Sequence, residues 1–294
     1  MQSRVKKDGE KMSKRELTRL ELIERSIITT YRSKLWGPFI HAIKEYELIK
    51  PNDVVCVCIS GGKDSTLLAK VFQELKKHSD FNFDVKYLVM NPGYNDINLQ
   101  TIKNNLNKLN IPAEIHETNI FEIANSQTKS PCFLCAKMRR GALYNLSKSM
   151  GCNKIALGHH YDDVIETTLM NLLSSGSFQT MLPKLKSTNF HGMELIRPMY
   201  FIREKDIIRF RKTHELNFIQ CACRFTENCA ICDNGGGGSR RQEIKELIKS
   251  LKKSIPQVEK NLFTAPNNVT LDMILGYKKG GKYYSYLDQY DTEE

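Results

Sequence analysis

From about residue 15 to residue 48, apolar side chains recur every third or fourth position in ELTRLELIERSIITTYRSKLWGPFIHAIKEYEL, which predicts a helical N-terminal stretch. The period then changes. Val54 to Ile59 is an almost unbroken apolar run, as expected of a strand buried on both faces, and it passes into helical spacing that lasts to about Lys77. Further strands are predicted at FDVKYLVM and around AEIHET, with a helix, INLQTIKNNLNKLN, between them. After a Cys-Phe-Leu-Cys pair, AKMRRGALYNLSKSMG reads as helix, KIALGHH as strand and YDDVIETTLMNLLSSG as helix. Strands alternating with helices of this length imply right-handed crossovers. The fold class is therefore α/β, a doubly wound parallel sheet covered on both faces, with an N-terminal helix and a cysteine-rich, partly helical C-terminal part. The expected divisions are a basic helical segment over 1–48, the α/β domain over 49–217, and a cysteine-rich segment, basic helix and tail over 218–294. Ligands of such folds bind outside the carboxyl ends of the strands.

Composition adds a soluble, globular character: of 294 residues, 40% are hydrophobic and 26% charged. No run approaches the ~18 to 20 apolar residues of a membrane helix, and MQSRVKKDGEKMSKREL has no apolar signal region, which points to the cytoplasm and to no membrane partner. The net charge of +11 favours a polyanionic partner. Part of it sits on SRRQEIKELIKSLKK, where Ile244, Leu247, Ile248 and Leu251 mark the apolar side of an amphipathic helix. Arg240, Arg241 and Lys245 head its basic face and are expected to meet phosphates. Gly235 to Ser239, GGGGS, reads as a flexible connector, native or engineered, without a function of its own.

The chemistry concentrates at two places. Ser60-Gly61-Gly62-Lys63-Asp64-Ser65 follows a strand and opens a helix, so its backbone N–H groups and the helix dipole form an anion cradle. Glycines admit close approach, Lys63 adds a positive charge, and Ser60 and Ser65 add hydroxyls. The spacing is not that of a Walker loop. The hexad resembles the PP-loop of ATP pyrophosphatases, which grips the pyrophosphate of ATP. Second, Gly158-His159-His160 ends a strand on the same edge, and Asp162 and Asp163 open the next helix. These two carboxylates are helix caps, or they supply the Mg²⁺ ligand and acid/base group that ATP chemistry needs.

Nine cysteines in a chain of this kind are thiols or metal ligands rather than disulfides. Cys56, Cys58 and Cys152 read as packing residues. Cys132 and Cys135 form one group, and Cys221, Cys223, Cys229 and Cys232 form another, whose spacing also allows a tetrahedral zinc site. With CFLCAKMRRGALYNLSKSMGCNKIALGHHYDDVIETTLMNLL, then MLPKL, IRPM and REKDI, the chain from about 20 to 275 resembles the tRNA 2-thiocytidine synthetase family. That resemblance implies an adenine nucleotide alpha hydrolase-like fold and ATP-dependent adenylation of an anticodon-loop cytidine at tRNA position 32. It also implies sulfur insertion assisted by a [4Fe–4S] cluster. The nucleotide would lie on Ser60, Gly61, Gly62, Lys63, Asp64, Ser65, Gly158 and His159, with Asp64, Asp162, Asp163 and Arg139 in catalysis. Cys132 and Cys135 would be two cluster ligands. The third is open between Cys221, Cys223 and Cys229, with Cys221 favoured by its place after LNFI. The partners implied are tRNA, a sulfur donor (sulfide or a cysteine desulfurase), and a second copy of the chain.

Overall fold

The computed structural model describes residues 15–126, 131–219 and 240–290. Its centre is a six-stranded sheet of β1 (Val54–Ile59), β2 (Asp84–Asn91), β3 (Ala113–Glu117), β4 (Lys154–Ala156), β5 (Lys184–Lys186) and β6 (Glu194–Ile196). The order is β3-β2-β1-β4-β6-β5. β1 is parallel to both neighbours, with Val55 beside Val85 on one side and Lys154 on the other. Only β5, at the edge, is antiparallel. The apolar run of β1 is thus explained: both edges are paired, both faces are covered, and Val55, Cys56 and Val57 have 0% exposure.

Alternation along β1 feeds two apolar layers. Val55, Val57 and Ile59 join a core that runs from Ile23 to Ile244, Ile248 and Phe263. Cys56 and Cys58 join Leu88, Tyr144, Cys152 and Ile155 on the opposite face. The helices around the sheet are α1 (Arg19–Ile28), α2 (Gly37–Glu45), α3 (Lys63–His78), α4 (Asp96–Lys108), α5 (Ile120–Asn125), α6 (Pro131–Ser149) and α7 (Tyr161–Ser175). They are followed by α8 (Glu204–Thr213), α9 (Arg240–Ser254) and α10 (Val258–Thr264). The Tyr-rich tail forms a hairpin, β7 (Gly276–Lys279) and β8 (Lys282–Ser285), then a short α11 (Leu287–Tyr290). Among the described residues no helix is long and apolar enough to cross a membrane.

Three elements differ from their sequence expectation. The N-terminal helix is broken by a π-helical turn at Arg32–Trp36, where the Gly37 N–H reaches back to the Arg32 carbonyl. Pro38 has no N–H to continue the ordinary ladder, and the wider turn shifts the register just before it. α6 begins at Pro131, ahead of Cys132 and Cys135 rather than after them, because proline suits the first helical position. β4 stops at Ala156, so Gly158 to His160 form a loop and His160 caps α7.

α1 is tied to α3 by charge as well as by packing. The Lys70 ammonium, 1% exposed as a residue, donates to Glu24 Oε1 at 2.6 Å, Gln73 Oε1 at 2.6 Å and the Leu109 carbonyl at 2.9 Å. Burial lowers the Lys70 pKa, with Glu24 opposing. Removing one partner of such a pair strands the other, at a cost of about 3 kcal/mol. Glu24→Ala is therefore expected to lower unfolding free energy by about that amount, and Glu24→Ala with Lys70→Met to recover most of it. Urea titrations of the two variants check this; equal stability for the single and double variants would contradict it.

Candidate active site

In the sheet order, β2 and β3 lie to one side of β1 and β4 to the other, so the chain changes direction of winding between β1 and β4. Beyond the carboxyl ends of these two strands a crevice opens. Both predicted motifs empty into it. After Ile59 the chain turns through Ser60-Gly61-Gly62 into α3. Gly61 has φ +82°, and a Cβ there would strike the side chains of Ile102 and Ile219. The turn is fixed by Ser65, whose Oγ accepts from the Ser60 N–H at 3.1 Å and donates to the Gly62 carbonyl at 3.2 Å. No side chain caps α3. Its first N–H groups are left for an anion.

The loop after β4 runs directly against this turn. A Cβ on Gly158 would stand 3.0 Å from the Ser65 nitrogen and 3.1 Å from the Asp64 carbonyl carbon. Between the two loops lies a cleft of ≈ 350 Å³ with Cys58, Ile59, Met90, Leu143 and Leu157 as its apolar wall. The polar groups facing it are Ser60, Gly62, Asp64 and Ser65 from the first loop, Gly158 and His159 from the second, and Asp163 and Arg139 from α7 and α6. Its volume falls within the ~300 to 1,000 Å³ of small-molecule sites.

Two of the expected residues are placed otherwise. The Lys63 ammonium is not at the cleft wall but bridges Asp64 Oδ2 at 3.0 Å and Glu204 Oε1 at 3.1 Å. Burial works against its charge, yet these carboxylates hold its pKa above the usual lysine value. Asp162 is not brought to the cleft. Its carboxylate accepts from Arg203 Nη2 at 3.0 Å and from the Glu204 N–H at 2.7 Å, which caps α8. Successive helix residues point ~100° apart, so only Asp163 of this pair faces the cleft. Asp163 also completes a reciprocal cap with His160, accepting from its N–H at 3.0 Å.

Two buried polar atoms on the cleft residues, Asp64 Oδ1 and His159 Nδ1, have no hydrogen-bond partner among the described residues. Burial, with Arg197 of the IRPM stretch adding to it, lowers the His159 pKa to about 4, so its ring is neutral at pH 7. No group of three or more His, Cys, Asp or Glu among the described residues is arranged to hold a metal. Mg²⁺, however, commonly takes one or two carboxylates and completes its octahedron with phosphate oxygens and water. Asp64 and Asp163, both facing the cleft, are the residues that could hold such an ion.

No sequence pattern marks the cations around these carboxylates. Glu204 binds both Lys63 and Lys245; burial would raise its pKa, but the two ammonium groups hold it at about 2. Arg241 meets Asp163 Oδ1 at 3.0 Å, and Lys252 meets Glu259, which also holds Arg203 at 2.8 Å. Arg241, still exposed, and the part-buried Lys245 are thus ion-paired to carboxylates of α7 and α8. Half-buried carboxylates need such partners. REKDI was visible as a motif, but no spacing could show that its Glu204 meets Lys63.

Cys132 and Cys135 lie in the first turns of α6. Cys135 is buried, and it precedes Arg139 and Leu143 by four and eight residues, on the helix face that reaches the cleft. Cys221, Cys223, Cys229 and Cys232 lie outside the described residues.

The sequence profile of the PP-loop domain matches residues 38–224. The tRNA-cytidine(32) 2-sulfurtransferase of Geotalea uraniireducens is 33% identical over 254 residues, covering 85% of this chain and 95% of that protein. The protein of the same name from Coxiella burnetii is 32% identical, covering 81% and 90%. Among solved structures, the U34-tRNA thiolase of Methanococcus maripaludis, with its [4Fe-4S] cluster, superposes at TM-score 0.62 with 22% identity, over 83% of this chain and 80% of that one. With a phosphate loop at the switch point and relatives matched over nearly their whole length, the chain belongs to the PP-loop family of tRNA-cytidine(32) 2-sulfurtransferases.

Proposed function

We propose that the protein replaces the C2 oxygen of a tRNA cytidine by sulfur, using ATP. The observation that carries this is the pairing of an uncapped phosphate loop with a carboxylate-lined cleft, walled on its far side by the helix that bears Cys132 and Cys135. A carbonyl oxygen is a poor leaving group. Attack of the cytidine O2 on the α-phosphate of ATP forms the O–P bond and breaks the bond to pyrophosphate. Sulfur then adds at C2, and the C2–O bond breaks as AMP departs with that oxygen.

The residues divide this work by charge. The α3 N–H groups, Ser60 and Ser65 would cradle the leaving pyrophosphate, and Lys63 would join them by leaving Glu204. Asp64, with Asp163 nearby, would hold the magnesium. Arg139 is placed to offset negative charge on the adenylate. His159, neutral and with an Nδ1 that has no partner among the described residues, would accept a hydrogen bond in the cleft. Cys132 and Cys135, with one of Cys221, Cys223 or Cys229, would hold a [4Fe–4S] cluster, which would supply an iron site for sulfide.

Full-length protein given tRNA, ATP, Mg²⁺ and sulfide under anaerobic conditions should release AMP and pyrophosphate in step with 2-thiocytidine formation. No tRNA-dependent pyrophosphate would sink the reading. Lys63→Ala should slow that release by about 10²-fold. Lys245→Met, by leaving Glu204 to draw Lys63 alone, should raise the KM for ATP by roughly fivefold, about 1 kcal/mol.

Protein purified without oxygen should carry four iron atoms per chain, and Cys135→Ala should lose the brown chromophore while keeping its circular dichroism spectrum. Zinc with no iron after reconstitution would contradict the cluster.

The pH dependence follows from His159. Its folded pKa is below the ordinary value, so the neutral ring persists as pH falls through 6.5 and is lost only near 4. An imidazole NMR titration should show that midpoint, and one above 6 would remove His159 from the buried, neutral role.

A further inference from the structure

The C-terminal hairpin carries a surface that the chemistry above does not use. In its register Tyr277 is opposite Tyr284, Lys278 opposite Tyr283, and Lys279 opposite Lys282. Opposed residues share a face, so the hairpin has two unlike sides. On one, Tyr277 and Tyr284 stack at 5.0 Å and 11°, and the Lys282 ammonium sits 5.2 Å from the Tyr284 ring centre. That side is internally satisfied.

The other side is open. Tyr283 stands beside Lys278 and lies against Gly276, where a Cβ would come within 2.6 Å of the Tyr283 Cζ. The missing side chain lets the phenol end rest on backbone, and Tyr283 remains 56% exposed. Among the described residues, Lys278, Lys279 and Lys282 have no carboxylate within ion-pair distance. The hairpin thus presents an aromatic ring supported from behind, with the unpaired Lys278 ammonium on its own face and Lys279 and Lys282 at the tip on the other. Net positive charge at the tip selects an anionic partner. A two-fold contact through this surface would set the same lysines of two copies against each other, which disfavours self-association.

We infer that the hairpin is an RNA-contacting element, in which Tyr283 stacks on an unpaired nucleobase and Lys278 holds an adjoining phosphate. Ring faces accept any base, so the contact supplies affinity and positioning rather than sequence readout. The inference rests on the proposed tRNA substrate and assigns to it a contact outside the cleft.

The test is binding of a labelled anticodon stem-loop RNA to full-length protein at two salt concentrations. Tyr283→Ala should weaken binding by about tenfold at both, whereas Tyr283→Phe, which keeps the ring, should stay within about twofold of the unaltered protein. Lys278→Ala should reduce the log–log salt slope by about one. Unchanged affinity in both Tyr283→Ala and Lys278→Ala overturns the hairpin assignment while tRNA-dependent pyrophosphate release by the unaltered protein keeps the thiolation reading standing. If the unaltered protein releases none, that reading falls and this one with it. Unchanged RNA affinity in Tyr283→Ala, with a smaller sedimenting species, would assign the surface to a second copy and also overturn the inference.

Discussion

The site depends on one close approach, that of Gly158 to the start of α3. The strands β1 and β4 are adjacent and parallel, so the two loops leaving them must pass within van der Waals contact. The neighbours of a Cβ at 158 would be backbone atoms of Asp64 and Ser65, which cannot rotate away as a side chain can. The contact fixes more than itself. His159 follows it into the cleft, His160 caps α7, and the reciprocal cap sets where Asp163 points.

A second constraint is electrostatic. Asp64, Asp162, Asp163, Glu204 and Glu259 are gathered within a few elements, each 15% to 29% exposed at its side chain. So many half-buried carboxylates could not remain ionised together without cations among them. Lys63, Arg203, Arg241, Lys245 and Lys252 supply these. Part of the basic charge of α9 is thus matched by these carboxylates.

The regular elements near the sheet centre were legible because two local signals coincided: an apolar run at β1 and helical spacing directly after a glycine-bearing hexad. Ser60 to Ser65, Gly158, His159 and Asp163 could be placed on one edge for the same reason, since α/β topology alone brings strand ends together. What sequence did not reveal was mostly pairing over distance. Asp162 and Asp163 look equivalent in a chain of letters, and only the position of α8 separates a cap from a cleft residue. The ion pairs of Arg241 and Lys245 were not legible because amphipathic spacing marks the apolar stripe, not what the charged flank meets. β5 and β6 were missed although β4 is as short, because β4 stands between two helical stretches where an alternating pattern predicts a strand and they do not, and the N-terminal break because a π-helical turn leaves the apolar spacing nearly intact.

Glu204 has one carboxylate and two ammonium partners, one on the phosphate loop and one on α9. A ligand that takes Lys63 for its phosphates leaves that carboxylate to Lys245 alone and tightens the hold on α9. Linkage makes the effect mutual: whatever loosens α9 weakens the nucleotide by the same factor. Nucleotide bound through Lys63 would thus be thermodynamically coupled to α9 through a single side chain, with no movement of the sheet required.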